Sequence, residues 1–394
     1  MKRIIVLGGG YAGIRALETF AKERINAKVT LIDQHTYHYL QTESYDLVAS
    51  KIPIDETFIY LPTLVKGIDH SFEFIHDTAL KIEKNMLLCQ NEAYPFDYLL
   101  IATGSVTKFL QGFEAKGDRS LGVKSLRAAL KVKQFFEKEL FDRLEPKSAT
   151  QSFTIAVIGG GLSGVEIAAE MKHYFNTYSK NNALTCGNIH IKLISRHILK
   201  TLPETLRQKA IKRLENLGVE FLFHHVREVK ENELLLDDGS TLPFDFAVFA
   251  GGIEPAPFIK DLDLPKNEKG FLKPDRFLRL RDNIFAAGDI CELRNEKGVV
   301  PPTAQSAEQS GIQAARNIAR SIRQEELQPY HVRLYGMAIA LGGPYAISIT
   351  PFGWAIGGVA GYLGKKAIEK WYKLPLKQKA EKGFAYIASC KEQK

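Results

Sequence analysis

The apolar residues of this chain gather in short runs that stop on glycine. Arg3-Ile4-Ile5-Val6-Leu7 leads into Gly8-Gly9-Gly10-Tyr11-Ala12-Gly13, and Thr154-Ile155-Ala156-Val157-Ile158 leads into Gly159-Gly160-Gly161-Leu162-Ser163-Gly164. A helical pattern follows each, so both stretches predict a buried parallel strand, a tight turn and a helix. Further strand-like runs are Val29-Thr30-Leu31-Ile32 closing on Asp33, Leu99-Leu100-Ile101 closing on Ala102-Thr103-Gly104, and Ile189-His190-Ile191-Lys192-Leu193-Ile194 closing on Ser195-Arg196. Two more are Phe246-Ala247-Val248-Phe249 before Ala250-Gly251-Gly252, and Ile284-Phe285-Ala286-Ala287 before Gly288-Asp289. Leu234-Leu235-Leu236-Asp237-Asp238-Gly239-Ser240 signals a hairpin. Pro301-Pro302-Thr303 opens a long helical stretch, a position that proline favours.

Strands alternating with helices, twice over, predict an α/β fold of two Rossmann-like dinucleotide-binding domains and exclude a propeller or barrel. Residues 1–108 and 270–330 are expected to form the first domain, 109–150 a charged helical linker with a boundary near Glu145-Pro146-Lys147-Ser148, and 151–265 the second domain. Residues 331–394 remain as a C-terminal segment for membrane association or dimerisation. At 394 residues there is chain enough for two cores.

The glycine spacing carries the first chemistry. Gly8 and Gly159 permit the turn out of the strand, Gly10 and Gly161 let backbone N–H groups approach a pyrophosphate, and Gly13 and Gly164 let the helix lie close to the sheet. The phosphates then face the positive end of a helix dipole. Asp33 stands where a carboxylate accepts hydrogen bonds from a ribose diol. The second unit ends its corresponding strand on Ser195-Arg196 instead. A carboxylate there would repel a 2′-phosphate, whereas serine and arginine could bind one. The donor nucleotide is therefore NADPH or either nucleotide, unless Arg196 faces solvent and another group reads the ribose.

Charge and cysteine content narrow the picture. The net charge is +8, and Lys365–Lys394 holds nine lysines against three glutamates. No nucleic-acid module accompanies that excess, so a membrane surface is the better partner. Met1-Lys2-Arg3 runs straight into the first strand, and no signal peptide is expected. Cys89, Cys186, Cys291 and Cys390 are scattered, with neither C-x-x-C nor zinc spacing. This fits a reducing compartment and removes disulfide-reductase chemistry; Cys89, in an alternating run, is expected in the core.

These residues resemble the two-dinucleotide-binding-domain flavoproteins, and more narrowly the type II NADH:quinone oxidoreductases, over nearly the whole chain. The narrower resemblance rests on Tyr37-His38, on Gly164-Val165-Glu166, and on Ala304-Gln305-Ser306-Ala307-Glu308-Gln309, which matches that family's A-Q-x-A-x-Q signature. It implies FAD on the first loop and NADH or NADPH on the second, with hydride passing to the flavin and two electrons on to a membrane quinone, without proton pumping. It also implies that Asp33 holds the FAD ribose, that Ala102, Thr103 and Gly104 pack near the flavin, and that Gly288 and Asp289 meet its ribityl chain. The helix beginning at Thr303 would point its N-terminus, with Ala304, at the flavin, stabilising the reduced anion.

Gln305 and Gln309 share one helix face, as quinone-side groups or as a solvated surface. Glu308 is a candidate proton donor. Glu166 is either a carboxylate at the flavin–nicotinamide contact or a dipole-compensating acid in a first helical turn.

Two rival functions remain. A sulfide:quinone oxidoreductase needs redox cysteines beside the flavin, where only Cys291 comes close in sequence. A flavin-binding sensor resembling apoptosis-inducing factor would turn over slowly.

Gly336–Gly364 is uncharged, but its eight glycines and two prolines read as strands, a turn and a helix rather than a span. After Pro351, Ile356, Ala360, Leu363, Ala367, Trp371 and Leu374 recur at helical spacing, with lysines elsewhere around the helix. A basic amphipathic helix with Trp354 and Trp371 as anchors fits in-plane binding to anionic lipid on the cytoplasmic face of the cell membrane. The alternative is a helix packed on the body or on a second subunit, in a homodimer.

Overall fold

The computed structural model describes residues 1–110, 120–145, 152–183, 189–230, 232–295 and 298–392. Cys186, and most of the boundary expected at Glu145–Ser148, lie outside them.

The first unit is a six-stranded sheet in the order Arg279–Arg281, Ile284–Ala286, Tyr98–Ile101, Lys2–Leu7, Ala27–Asp33, Glu73–His76. Only the Arg279–Arg281 edge is antiparallel. Lys2–Leu7 lies in the middle because Ile4, Val6 and Leu7 are covered on both sides and must be apolar throughout. Helix α1 (Tyr11–Lys22) leaves the first glycine loop. A three-stranded meander of Ala79–Glu83, Met86–Cys89 and Ala93–Pro95 is set on this unit, with Cys89 buried as expected. Two short helices that the hydrophobic pattern did not announce, α2 (Ser44–Val48) and α3 (Leu61–Ile68), precede it.

The second unit is a parallel sheet in the order Ser120–Gly122, Phe246–Phe249, Phe153–Ile158, Ile189–Ile194, Val219–Leu222. Of the stretch expected as a helical linker, residues 120–145 are built into this unit. Its strand Ser120–Gly122 pairs with Phe246–Phe249, and α4 (Leu126–Asp142) buries Leu126, Ala129, Val132 and Phe136 in the same core as Phe246. Helices α5 (Leu162–Asn181) and α6 (Glu204–Leu217) follow, and the expected hairpin is Glu233–Leu236 with Thr241–Pro243. A ribbon of Ser105–Thr107 against Ile253–Pro255 carries the chain between the units.

Helix α7 (Ala304–Ile322) returns to the first unit and crosses α1 backbone to backbone. A Cβ on Gly311 would lie 2.1 Å from the Ala12 carbonyl oxygen. The C-terminal region forms strands Met337–Ala340, Ala346–Ile349 and Ala355–Gly357, then α8 (Gly358–Glu392). Among the described residues no helix is long and apolar enough to cross a membrane.

Helix α8 corrects one expectation. Its lysines do not surround an apolar docking face; many turn inward. Lys365 pairs with Glu166, Lys366 with Asp46, Lys373 with Glu43 and Glu56, Lys377 with Glu56, and Lys379 with Glu18. The body supplies buried carboxylates along this seam, and an unpaired buried carboxylate is costly. Lys365 and Lys373 are 7% and 8% exposed, beside buried Tyr372 and Leu376. Close packing fixes the seam further: Cβ atoms on Gly67 and Gly383 would strike the Lys379 and Thr63 carbonyls at 1.7 and 1.9 Å. The apolar ridge of Val359, Leu363, Trp371 and Leu374 faces outward, with Trp371 75% exposed.

Candidate active site

The first cradle is formed where Lys2–Leu7 stops. Gly8 adopts φ +109°, and a Cβ there would meet the Ala102 oxygen at 2.4 Å, so the loop lies against the end of Tyr98–Ile101. Gly13 faces the Gly8 oxygen at 1.9 Å by the same measure, which forces glycine and seats α1 on the sheet. Gly10 has open space where its side chain would be, and it begins α1 with no side chain capping the helix. Asp33 accepts from the Gly9 N–H at 2.6 Å and the His35 N–H at 2.7 Å. Burial raises its pKa against those two donors.

Around this cradle the structure gathers most of the expected flavin-side residues. Thr103 Oγ1 is buried with no partner among the described residues, and Gly104 is open where a side chain would stand. Gly288 (φ +79°) touches Ala12 and donates its N–H to Ser310 of α7 at 2.9 Å. Asp289 accepts from Lys124 at 3.1 Å. Thr303 caps α7 in a reciprocal box with Ser306, placing Ala304 in the first turn. An open glycine at a bare helix N-terminus, an orphaned hydroxyl and an open Gly104 fit a dinucleotide with an extended ring system.

The second cradle repeats the first. Gly159 (φ +123°) meets Ala250, a Cβ on Gly164 would lie 1.9 Å from the Gly159 oxygen, and Gly161 is open. Leu162 and Ser163 form the first turn of α5, and Gly251 lies beside Gly159. Gly252 accepts from the Lys108 N–H at 3.2 Å, on the ribbon between the units. Ser195 sits against Gly160, and Arg196 pairs with Asp237.

The remaining candidates occupy places the sequence did not specify. Gln305 and Gln309 are half-buried, and both are hydrogen-bonded. Gln305 donates to the Gly336 carbonyl at 3.0 Å and accepts from Tyr335 N–H at 2.8 Å; Gln309 does the same for Arg333 at 2.7 and 2.8 Å. Each carboxamide imitates a strand partner and stitches the segment before Met337 onto α7. Glu308 is held by Arg15 at 2.7 Å, with burial raising its pKa and Arg15 opposing. Glu166 is in the second turn of α5, so it is not a first-turn acid. Its Oε1 accepts from Lys365 at 2.9 Å and Ala340 N–H at 3.0 Å. Burial raises its pKa, and Lys365 works against that.

Several participants were missed. Lys124 bridges the units by donating to both Asp289 and Ser105. His38 is buried between the first loop and α8: its Nδ1–H donates to the Gly9 carbonyl at 3.0 Å, so neutral Nε2 accepts from the Tyr372 hydroxyl at 3.0 Å. Burial lowers its pKa to about 4. Arg15 lies over the Tyr372 ring at 5.2 Å. Only the Tyr37-His38 dipeptide flagged this place, and nothing local tied it to a residue so far along the chain.

Residues 2–311 match the family model described as pyridine nucleotide-disulphide oxidoreductase. The chain belongs to that family. It is 25% identical over 385 residues to the type II NADH:quinone oxidoreductase of Haemophilus influenzae, covering 86% of this chain and 85% of that one. Among solved structures it resembles NDH2 from Plasmodium falciparum in complex with NADH (TM-score 0.82, 17% identity, 98% and 97% coverage). It also resembles the sulfide:quinone oxidoreductase of Aquifex aeolicus (TM-score 0.79, 18% identity, 96% and 92% coverage). The structural likenesses establish the two-domain fold, which both activities share.

Proposed function

We propose that the protein is an FAD-dependent NADH:quinone oxidoreductase working from a membrane surface. The observation that carries this reading is the double face of α8. It turns an apolar ridge to solvent on one side and, on the other, holds Lys365 against Glu166 of the second nucleotide helix. This supports a lipid-soluble acceptor reaching one side of the helix while the nucleotide cradles lie on the other.

FAD, which the Gly8–Gly13 loop and Asp33 would hold, would supply the redox chemistry that links NADH to the quinone. The chain supplies the rest. Gly10 and Gly161 offer helix N-termini to the two pyrophosphates. Asp33 would orient the flavin nucleotide's ribose, and Thr103, Gly104 and Asp289 would hold the flavin end of the cofactor. The α7 N-terminus, with no acid in its first turn, favours negative charge beside it. Glu166, whose Oε1 accepts from Lys365 and the Ala340 N–H, ties α8 and the strand Met337–Ala340 to the second nucleotide helix. Glu308, committed to Arg15, is a structural ion partner, and Gln305 and Gln309 position the segment that carries Tyr335.

The sulfide reading loses ground on its thiols. Cys89 and Cys291 are buried and Cys390 is exposed, all three free. Burial and nearby Asp289 raise Cys291 far above the usual thiol range, which suppresses the thiolate such chemistry needs.

Membrane attachment rests on Trp354, Leu363 and Trp371, and a homodimer would compete for the same ridge. Flotation with anionic vesicles tests this. The protein should float, and Leu363→Ser with Trp371→Ser should leave it in solution, losing about 3 kcal/mol of partition free energy. Unchanged flotation, or a halved molecular mass without lipid, would reject attachment through the ridge.

A further inference from the structure

The two cradles differ most where the second strand of each ends. Leu7 pairs with Ile32 and Ile158 with Ile194, and the Gly8 and Gly159 N–H groups donate to Ile32 and Ile194 at 2.8 and 2.9 Å. Ser195 therefore occupies the place of Asp33. A Cβ on Gly160 would lie 2.9 Å from the Ser195 Cβ, so this residue borders the loop directly. A carboxylate is missing from the one position where it would accept the ribose 2′-hydroxyl and repel a 2′-phosphate.

Arg196 follows, and it is not loose. Its Nε donates to Asp237 Oδ2 at 3.0 Å, although the side chain remains 59% exposed. Asp237 is fixed in the hairpin turn: Oδ1 faces His224 Nδ1 at 3.1 Å, and its carbonyl accepts from Arg227 at 2.6 Å. Holding the guanidinium by Nε leaves the planar fork of Nη1 and Nη2 for a ligand. That fork matches two phosphate oxygens, and anchoring it removes rotamer freedom that binding would otherwise have to freeze.

We propose that Ser195 and Arg196 form a subsite for the 2′-phosphate of NADPH, with Asp237 as the residue that positions Arg196. NADPH is then a donor as well as NADH. The inference rests on the second loop binding a nicotinamide nucleotide, as in the proposed function. Its stoichiometry balances: NADPH, one solvent proton and quinone give NADP+ and quinol, the hydride and proton supplying two electrons and two hydrogens.

Binding isolates the subsite from turnover. Calorimetry on the FAD-loaded protein would compare adenosine 2′,5′-bisphosphate with adenosine 5′-monophosphate. The bisphosphate should bind about tenfold tighter, and Arg196→Ala should remove most of that preference, as expected for one charged contact. The NADPH:NADH ratio of kcat/KM should fall by about the same factor. Asp237→Asn should raise the KM for NADPH about threefold without lowering kcat, Asp237→Glu should restore it, and the Arg196→Ala, Asp237→Asn pair should be no worse than Arg196→Ala alone. No bisphosphate preference in the unaltered protein, or a preference that survives Arg196→Ala, would overturn the subsite. Additive losses in the pair would overturn the positioning role. Should NADH fail to bleach the flavin while the bisphosphate preference stands, the oxidoreductase reading fails and the subsite does not.

Discussion

Arg15 and Glu166 occupy equivalent places in the two nucleotide units, each five residues past the third glycine, Gly10 or Gly161. They carry opposite charge. Arg15 reaches across to Glu308 on α7, while Glu166 reaches Lys365 on α8. Up to that residue the units are near copies: the same strand register, the same positive φ at Gly8 and Gly159, and the same Cβ exclusion at Gly13 and Gly164. The nucleotide dictates the loop, so the loop repeats. The helix beyond it answers to whatever docks there, so it diverges, and the divergence builds an ordinary ion pair on one side and a buried seam on the other.

Breaking the repeated part should separate the two cofactors. Gly13→Ala sets a methyl against the Gly8 carbonyl and should give colourless protein, losing about 3 kcal/mol of stability. Gly164→Ala should keep the flavin and lose reduction by NADH. Absorbance of the purified variants, before and after NADH, checks both; a normally bleached Gly164→Ala protein would contradict the assignment of the second loop.

The divergent part should be tested by charge. Lys365→Met leaves Glu166 buried without its cation and should cost about 3–5 kcal/mol in denaturant unfolding. Adding Glu166→Gln should recover much of it. Arg15→Met against Glu308, a less buried pair, should cost distinctly less. Equal costs would erase the contrast between the two helices.

Among the described residues, only the first unit has a buried histidine under its loop. His38 titrates near pH 4 when folded and near 6.5 when unfolded. The unfolded chain therefore binds more protons between those values, and stability falls as pH drops through that window. From pH 7 to pH 5 the loss is about 2 kcal/mol. Glu43 and Glu166, raised by burial, work in the opposite direction. The comparison is accordingly between the protein and His38→Asn, whose unfolding should be flatter with pH by that amount. Last, Gln309→Ala should cost about 1 kcal/mol by freeing the strap at Arg333; a larger fall in quinone reduction than in stability would return that glutamine to the acceptor site.

What the sequence made legible follows the same division. Both loops, Asp33, the strand ends at Ala102 and Gly288, and the start of α7 could be found because they are local: each is a few consecutive residues with a fixed backbone task. The C-terminal strands and helix were legible from glycine and apolar spacing. The inward turn of the lysines was not, because it depends on carboxylates at Glu43, Asp46, Glu56 and Glu166 contributed by distant parts of the chain. Gln305 and Gln309 show the same limit. Their spacing identified one face, but only the fold reveals that the face is covered by the backbone of Arg333–Gly336. Strand Ser120–Gly122 escaped notice because three residues carry no period.

Two nucleotide cradles in one chain should pass electrons from a nicotinamide to a quinone. An anaerobic stopped-flow record of the purified yellow protein tests this most directly. NADH should bleach the flavin's visible absorbance, and a water-soluble quinone should then restore it within the turnover time. A flavin that ignores NADH, or that stays bleached in the presence of the quinone, would contradict it.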